Sequence, residues 1–583
     1  MPNDADARLE RLEAVRHVRP GAREAERLLR ALSRRRFADA ERLIRFHEAV
    51  LFLRAFPHAR GVLSAADGIL RSFEKRVSQL PEEERNGAFD APEVAGIAGT
   101  TIGTDFSFEL ACWLARRHPR RTGVDWEAGA SADRMRASWP AFLPLLEEEA
   151  LADANVPYLE WLRAAAGARW KDLRWLLTRY ERMASSDRAE RWDSLGVPVS
   201  WDLGGSRASR TKMRRPGPRV FFHDAPLLSR RDVSLDAVFA EPPLAVRRLG
   251  SRAGESLCDA VREATASRYR EFYTFTHADP STVLAARPGR GVELFLLGVR
   301  PERRLPLRAA YGGFVVKNAV PIGYIEGLAF FERLEIGFNM YYTFREGESA
   351  WIYAQVLRFH RDALGVTSFS IDPYQLGQEN EEAIESGAFW FYRKLGFRPT
   401  DRDVARLLQG EERRIAGHPG YRSPASTLRR LVRHNLIYEI PGSPRGEWDR
   451  FHIRNLGLAV NRRMARAFGG SAESARRAAE IRVARALGIR PAAETVSRSD
   501  LFRDFALALD LLSDLPSWSR AEREEVAAIL RAKMRGDERA YLRLMQRHAR
   551  LRRALIGLGS APSPRPSPPA GRRSQGRAGG GDS

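Results

Sequence analysis

The sequence predicts an α+β protein, with a mixed, mainly antiparallel sheet and flanking helices set between mostly helical N- and C-terminal regions. Three observations carry the prediction. In both outer parts of the chain, apolar residues recur at the 3.6-residue spacing of amphipathic helices. Between about Leu244 and Arg398 this spacing gives way to short alternating or continuous apolar runs punctuated by Gly, Asn and Pro. Within that stretch, helical segments interrupt the strands as well as flanking them.

Composition narrows the function classes. The 583 residues carry 96 Lys plus Arg against 74 Asp plus Glu, a formal charge of +22. Only six of these cations are lysines, so the basic balance is an arginine bias and weak evidence for nucleic acid. Two cysteines, Cys112 and Cys258, exclude a disulfide framework, and Cys258 has no neighbouring His to activate it. The 11 histidines are scattered without ligand spacing, so no catalytic metal is expected. The polar start and the absence of a run of about 18 apolar residues predict a cytoplasmic protein with no membrane span.

From about Glu24 to Leu80 the chain reads as packed helices. Leu43, Ile44, His47, Val50 and Leu51 share one face, and His47 there is read as a hydrogen-bonded core histidine rather than a ligand. Val94–Gly103 then reads as a strand and glycine loop. A helix follows with Phe106, Leu110, Trp113 and Leu114 on one face, then a strand ending at Asp125. That order would suit a nucleotide or S-adenosylmethionine with Asp125 on a ribose, a tight turn being the competing reading. Pro140 to Met183 looks helical, with Trp161, Leu162, Trp170, Leu173, Leu176 and Leu177 as apolar bulk.

Between Asp202 and Asp224 lie Arg207, Arg210, Lys212, Arg214, Arg215 and Arg219 with no acid among them. This stretch reads as a basic linker, either a solvated connector or a strip that pairs with RNA or another polyanion. Near the C-terminus, Ser519 to Glu522 forms a capping box ahead of a helix face made by Val526, Ile529, Leu530 and Met534. Ser560 to Ser583 has almost nothing to bury and is expected to be disordered. The chain thus divides into a helical region (1–200), a basic linker (201–240), the mixed module (241–400), an extension (401–450), a helical region (451–559) and a tail (560–583).

The mixed module carries the chemistry. Leu244–Leu249 reads as a strand, followed by a helix through Leu257, Val261 and Ala264. Tyr311–Asn318 and Pro321–Phe330 flank an Asn-Ala-Val turn as a hairpin, and Arg333–Tyr342 is a third antiparallel strand. The chain then runs through Arg345-Glu-Gly-Glu-Ser-Ala350 into a helix with Ile352, Val356, Leu357 and Leu364. Ser368–Tyr374 is a further strand and Glu381–Leu395 a further helix, before Gly396-Phe397.

This order, with Asn380-Glu-Glu-Ala383 and then Tyr392-Arg-Lys-Leu-Gly-Phe397, resembles the GNAT superfamily of N-acetyltransferases over about residues 244–398. The chain as a whole also resembles a large bacterial group that sets such a module between helical regions. The first resemblance implies transfer of an acyl group to an amine acceptor. The donor would be acetyl-CoA, another acyl-CoA or another activated acyl group such as an aminoacyl-tRNA. It implies a pyrophosphate-binding loop at Arg345–Ala350, with Arg345, Gly347, Ser349, Ala350 and Asn380 toward the cofactor. It also implies Tyr392 as the acid for the departing thiolate, and Glu335 or Asp372 as the base for the amine. The inner loop glycine of the family is replaced here by Glu348. A carboxylate about 4 Å from a phosphate charge costs on the order of 4 kcal/mol at an effective dielectric near 20, unless it turns outward to favour the helix N-terminus. The alternative is a catalytically silent module of the same fold that binds nucleic acid or a protein partner.

Overall fold

The computed structural model describes residues 4–16, 22–126, 134, 143–154, 160–161, 164, 172–183, 185–215, 217, 219–489 and 500–560. Helices and sheets are mixed as an α+β class requires. The chain forms two compact units, one of residues 1–399 with 407–441 and one of residues 400–406 with 442–583.

In the first unit, the N-terminal helices Asp4–Val15, Ala22–Ser33, Ala40–Ala55 and Arg60–Arg71 follow the apolar spacing. Asp39 caps the third, its side chain accepting from the Arg42 N–H at 2.9 Å. His47 is fully buried, with Nε2 2.8 Å from Thr211 Oγ1 and Nδ1 2.8 Å from Glu48, and burial lowers its pKa. It is a core histidine.

The next segment departs from the expected nucleotide-site order. Only Thr101–Asp105 (β1) is strand, and Val94–Gly99 is a series of turns. β1, Thr122–Val124 (β2) and Pro198–Asp202 (β3) form a sheet of order β1-β3-β2, both outer strands antiparallel to β3. No parallel pair presents a loop to phosphates here. Gly96 and Gly99 have positive φ (86° and 96°), and a Cβ on Gly96 would lie 2.3 Å from the Ser267 carbonyl oxygen. These glycines serve tight turns and close packing. Trp192, Trp201 and Tyr180 fill the core of this sheet, while Leu162 and Trp170 lie outside the described residues.

The basic stretch is built into the fold. Arg210 is 3% exposed and paired with Glu48. Lys212 and Arg214 pair with Glu74 and Asp67, each at 2.8 Å, and Arg215 stacks on Phe295. Arg207 and Arg219 are exposed.

The second sheet has nine strands among the described residues: Arg247–Arg248 (β4), Leu284–Gly289 (β5), Val292–Gly298 (β6), Ala309–Lys317 (β7), Val320–Phe330 (β8), Arg333–Met340 (β9), Ser368–Ile371 (β10), Arg398–Pro399 (β11) and Leu436–Glu439 (β12). Their order is β11-β12-β10-β9-β8-β7-β6-β5-β4. All pairings are antiparallel except β9 with β10, which the Ser349–Leu364 helix joins as a crossover. Two features differ from the sequence expectation. β5 and β6 extend the three-strand meander to five, and β12, from the stretch read as an extension, inserts between β10 and β11.

The β7–β8 turn places Asn318 and Ala319 at φ 47° and 71°, the two positive values a type I′ hairpin needs. Asn318 then ties the hairpin tip to the helical region, its Nδ2 donating to the Ala55 carbonyl at 2.8 Å and to the Phe221 carbonyl at 3.0 Å. The helix expected over Glu381–Leu395 is two helices, Glu381–Glu385 and Ala388–Lys394, broken at Gly387 with φ 70°. Asn380 and Tyr392 thus belong to two successive short helices, Asn380 as the cap of the first and Tyr392 within the second.

The second unit is helical: Ile453–Phe468, Ala472–Leu487, Asp500–Leu509, Arg520–Met534, Glu538–Arg547 and Ala549–Ser560. Ser519 and Glu522 form the expected capping box. The tail after Ser560 lies outside the described residues.

Candidate functional site

β9 and β10 are paired only from Arg333 to Glu335, opposite Ser368 to Ser370. Beyond this point Ile336–Met340 continues without β10 beside it, and β10 ends at Ile371. A cavity of about 430 Å³ lies against the end of β9 beyond this pairing. Its walls include Phe338–Tyr342, Ser349 at the helix start, Asn380, and Tyr392 of the last helix. The opposite wall comes from Arg268, Arg270 and Phe272, with Tyr324 and Glu326 of β8.

Four sequence-predicted residues therefore meet here: Arg345, Ser349, Asn380 and Tyr392. Arg345 is partly engaged, its guanidinium 2.7 Å from Glu382 and 3.8 Å from the Tyr342 ring centroid. Ser349 Oγ donates to the Arg345 carbonyl at 2.8 Å. Asn380 caps its helix, accepting from the Ala383 N–H at 3.3 Å, and its Nδ2 donates to the Tyr374 carbonyl at 3.2 Å. Tyr392 packs against Tyr353, Phe391 and Phe397 with ring centroids 5.6, 5.2 and 5.7 Å away. Burial raises its phenol pKa, which keeps the proton on it.

Gly347 and Ala350 do not line the cavity. Ala350 is buried, and a Cβ on Gly347 would lie 2.6 Å from the Phe56 ring and 2.9 Å from the Phe344 carbonyl oxygen. The glycine at 347 is thus required by Phe56, whatever it does toward a ligand.

Glu348 takes neither course expected for it. It turns inward, fully buried, onto Arg290 and onto Lys317 Nζ at 3.3 Å, and it accepts from the Leu228 N–H at 3.2 Å. Burial opposes its charge, yet the Arg290 hydrogen bond and Lys317 hold the carboxyl below its usual range. Burial draws Lys317 down to about 8, and burial with Lys317 draws His223, 3.9 Å from Glu348, down to about 3. The carboxylate is thereby directed away from the helix start, whose first N–H groups lack intrahelical acceptors as in any α-helix.

Neither predicted base lines the cavity. Glu335 faces Arg308 at 3.4 Å and Arg333 at 3.7 Å. Asp372 caps the Pro373–Leu376 helix, accepting from the Tyr374 N–H at 2.9 Å. Three carboxylates do line it, Glu93, Glu326 and Glu382; Arg345 holds Glu382, and Glu326 is absent from the sequence reading. Among the described residues no hydrogen bond or ion pair engages Glu326, and burial raises its pKa above the ordinary value of 4.5. Its cross-strand neighbours are Gly312 on β7 and Gly337 on β9. A Cβ at Gly312 would lie 2.4 Å from Phe275, so that glycine makes room for the Phe275 ring beside Glu326, whereas a Cβ at Gly337 would make only ordinary contact with Gln375 at 3.4 Å. The available signal was a lone acid in the otherwise uncharged run Val320–Phe330. Tyr324, two residues earlier on the same strand face, has its phenol pKa raised by burial.

Burial pushes both Cys112 and Cys258 up to about 12, which removes them as nucleophiles. Among the described residues no group of metal-ligating side chains is assembled, and no helix is long and apolar enough to cross a membrane. No family model, curated protein or solved structure matches the chain.

Proposed function

We propose that the cavity against the end of β9 transfers an acyl group from an activated donor, an acyl-CoA or another acyl carrier, to the nitrogen of an amine acceptor. The observation that carries the proposal is Glu326: a carboxylate without a partner, raised by burial, on the wall of the same cavity as Tyr392. A base poised nearer neutrality can take an ammonium proton, and a phenol that keeps its proton can give one. The strand order, with one parallel pair joined by a helix that starts at the cavity, supports the resemblance behind this reading. Ser349 and Arg345 at the helix start, with Glu348 turned away, suit a phosphate-bearing donor.

In this reading Glu326 accepts a proton from the acceptor ammonium, and the freed nitrogen lone pair attacks the acyl carbonyl carbon. The C–N bond forms as the carbonyl carbon–leaving-group bond breaks; Tyr392 donates its proton to the departing atom, a thiolate where the donor is a thioester, and the second proton that the nitrogen loses on becoming an amide restores the phenol. Coenzyme A would supply that acyl thioester. The test is release of free thiol from acetyl-CoA and longer acyl-CoAs across a panel of amines, with Glu326→Gln alongside. Amine-dependent release lowered at least a hundredfold in the variant supports the reading; equal release in both excludes Glu326 as the base.

A second reading, a silent module that binds a partner, draws support from Gly347 packed under Phe56 and from Arg345 held by Glu382. It predicts no heat on titration with coenzyme A up to millimolar concentration. The engaged Arg210, Lys212 and Arg214 give little support to a polyanion strip at Arg207–Arg219.

A further inference from the structure

Resting on the acyl-transfer reading, we infer that the acceptor is an amine that also carries a carboxylate, which Arg268 and Arg270 bind while the nitrogen faces Glu326. Arg268 is 5% exposed and follows the Ser251–Ala266 helix on the cavity wall. Its guanidinium lies 3.9 Å from the Tyr341 ring centroid, and Nη1 donates to the Ala264 carbonyl at 2.7 Å. Among the described residues Nε has no partner and no carboxylate lies within ion-pair distance of the group, the charge of Glu48 acting on it only from further off. A buried guanidinium without a carboxylate in direct contact is unfavourable unless something else brings negative charge to it. Arg270, on the same segment, is exposed at the cavity; among the described residues it makes no ion pair, although its charge acts on Glu382 across the cavity.

The other two arginines on the wall are already engaged, Arg210 by Glu48 and Arg345 by Glu382 at 2.7 Å. The two open cations therefore form one locus. It lies beside Glu326: Phe272, two residues after Arg270, stacks 4.4 Å from Tyr324, which shares the strand face with Glu326. Neighbouring same-face residues on a strand are about 6.7 Å apart, so the ammonium and carboxylate of one small ligand can reach both loci. Glu93 and Glu382 also line the cavity, so an acceptor that brings one negative charge to the arginines is repelled less than one that brings two. A planar guanidinium binds a carboxylate through two parallel hydrogen bonds.

The test titrates the full chain calorimetrically with 4-aminobutyrate, 6-aminohexanoate and glycylglycine, each against its C-terminal amide. Binding of at least one acid tenfold or more tighter than its amide, with the preference reduced to within twofold in both Arg268→Gln and Arg270→Gln, is expected. Arg270 is exposed, so its variant tests the inference even where Arg268→Gln fails to fold. In the acyl-transfer assay the same variants raise KM for the acid acceptor at least tenfold and leave KM for the acyl-CoA unchanged. Equal affinity of acid and amide, no binding by any probe, an undiminished preference in Arg270→Gln, or a raised KM for the donor instead would each overturn it. Arg270-dependent binding of the acid with no transfer from any donor would keep the carboxylate site and overturn the transferase reading.

Discussion

Replacing Glu348 with Ala removes the carboxylate paired with Lys317, and both side chains are 0% exposed. Breaking one side of a buried ion pair costs about 3–5 kcal/mol, because the remaining charge stays desolvated. Arg290 adds little, since its side chain is 26% exposed and reaches water once freed. The loss of an acceptor for the Leu228 N–H adds to the cost, and deprotonation of Lys317, already drawn down to about 8, relieves part of it. A net destabilisation of about 4 kcal/mol follows, or about three powers of ten in an opening equilibrium at 1.36 kcal/mol per decade. Hydrogen exchange of the Ser349–Leu364 amides, followed by mass spectrometry, reads this locally and separates it from the helical second unit. Protection that depends on opening this sheet falls about a thousandfold in Glu348→Ala. In Glu348→Gln with Lys317→Met most of it returns, since neither buried charge remains. A loss below about 1 kcal/mol in the single variant would refute the assignment of this cluster as the anchor of the helix start.

The remaining predictions concern the cavity. The amine-dependent rate falls as pH drops through the Glu326 pKa, because only the carboxylate accepts a proton; as burial raises that pKa, the acid limb lies above the ordinary 4.5, and Glu326→Gln abolishes the limb. A limb unmoved in Glu326→Gln assigns the proton to another group. Tyr392→Phe keeps the ring packing and lowers kcat for a thioester donor by about 10²–10⁴-fold with the melting temperature changed little; an unchanged kcat makes Tyr392 a packing residue alone. Gly347→Ala forces a Cβ to 2.6 Å from Phe56 and lowers stability by about 1–3 kcal/mol in denaturant unfolding. Phe56→Leu relieves part of that loss, and an additive double variant would show that the contact is not its source.

The α+β class and the local elements of the mixed module were legible in the sequence. The Asn318-Ala319 hairpin, the third strand, the helix from Ser349 and the aromatic ending at Phe397 all follow from short-range periodicity and turn chemistry, which act over a few residues. His47 as a core residue and the Ser519 cap were legible for the same reason. What only the tertiary structure decided are the long-range pairings and the direction of each charged side chain. β12 reaches its place beside β10 through a pairing some seventy residues apart in sequence, which no local pattern encodes. Glu335 and Asp372 have the chemistry of a base, but arginines and a helix cap engage them, while the strand pairing of β8 sets Glu326 on the wall of the cavity. Glu348 shows the same dependence. Its place in the loop suggested a charge facing a ligand, whereas Lys317 and Arg290, brought in from strand and turn elsewhere in the sheet, draw it inward. A carboxylate's role depends on the cations and solvent that the fold sets around it, and those come from distant parts of the chain.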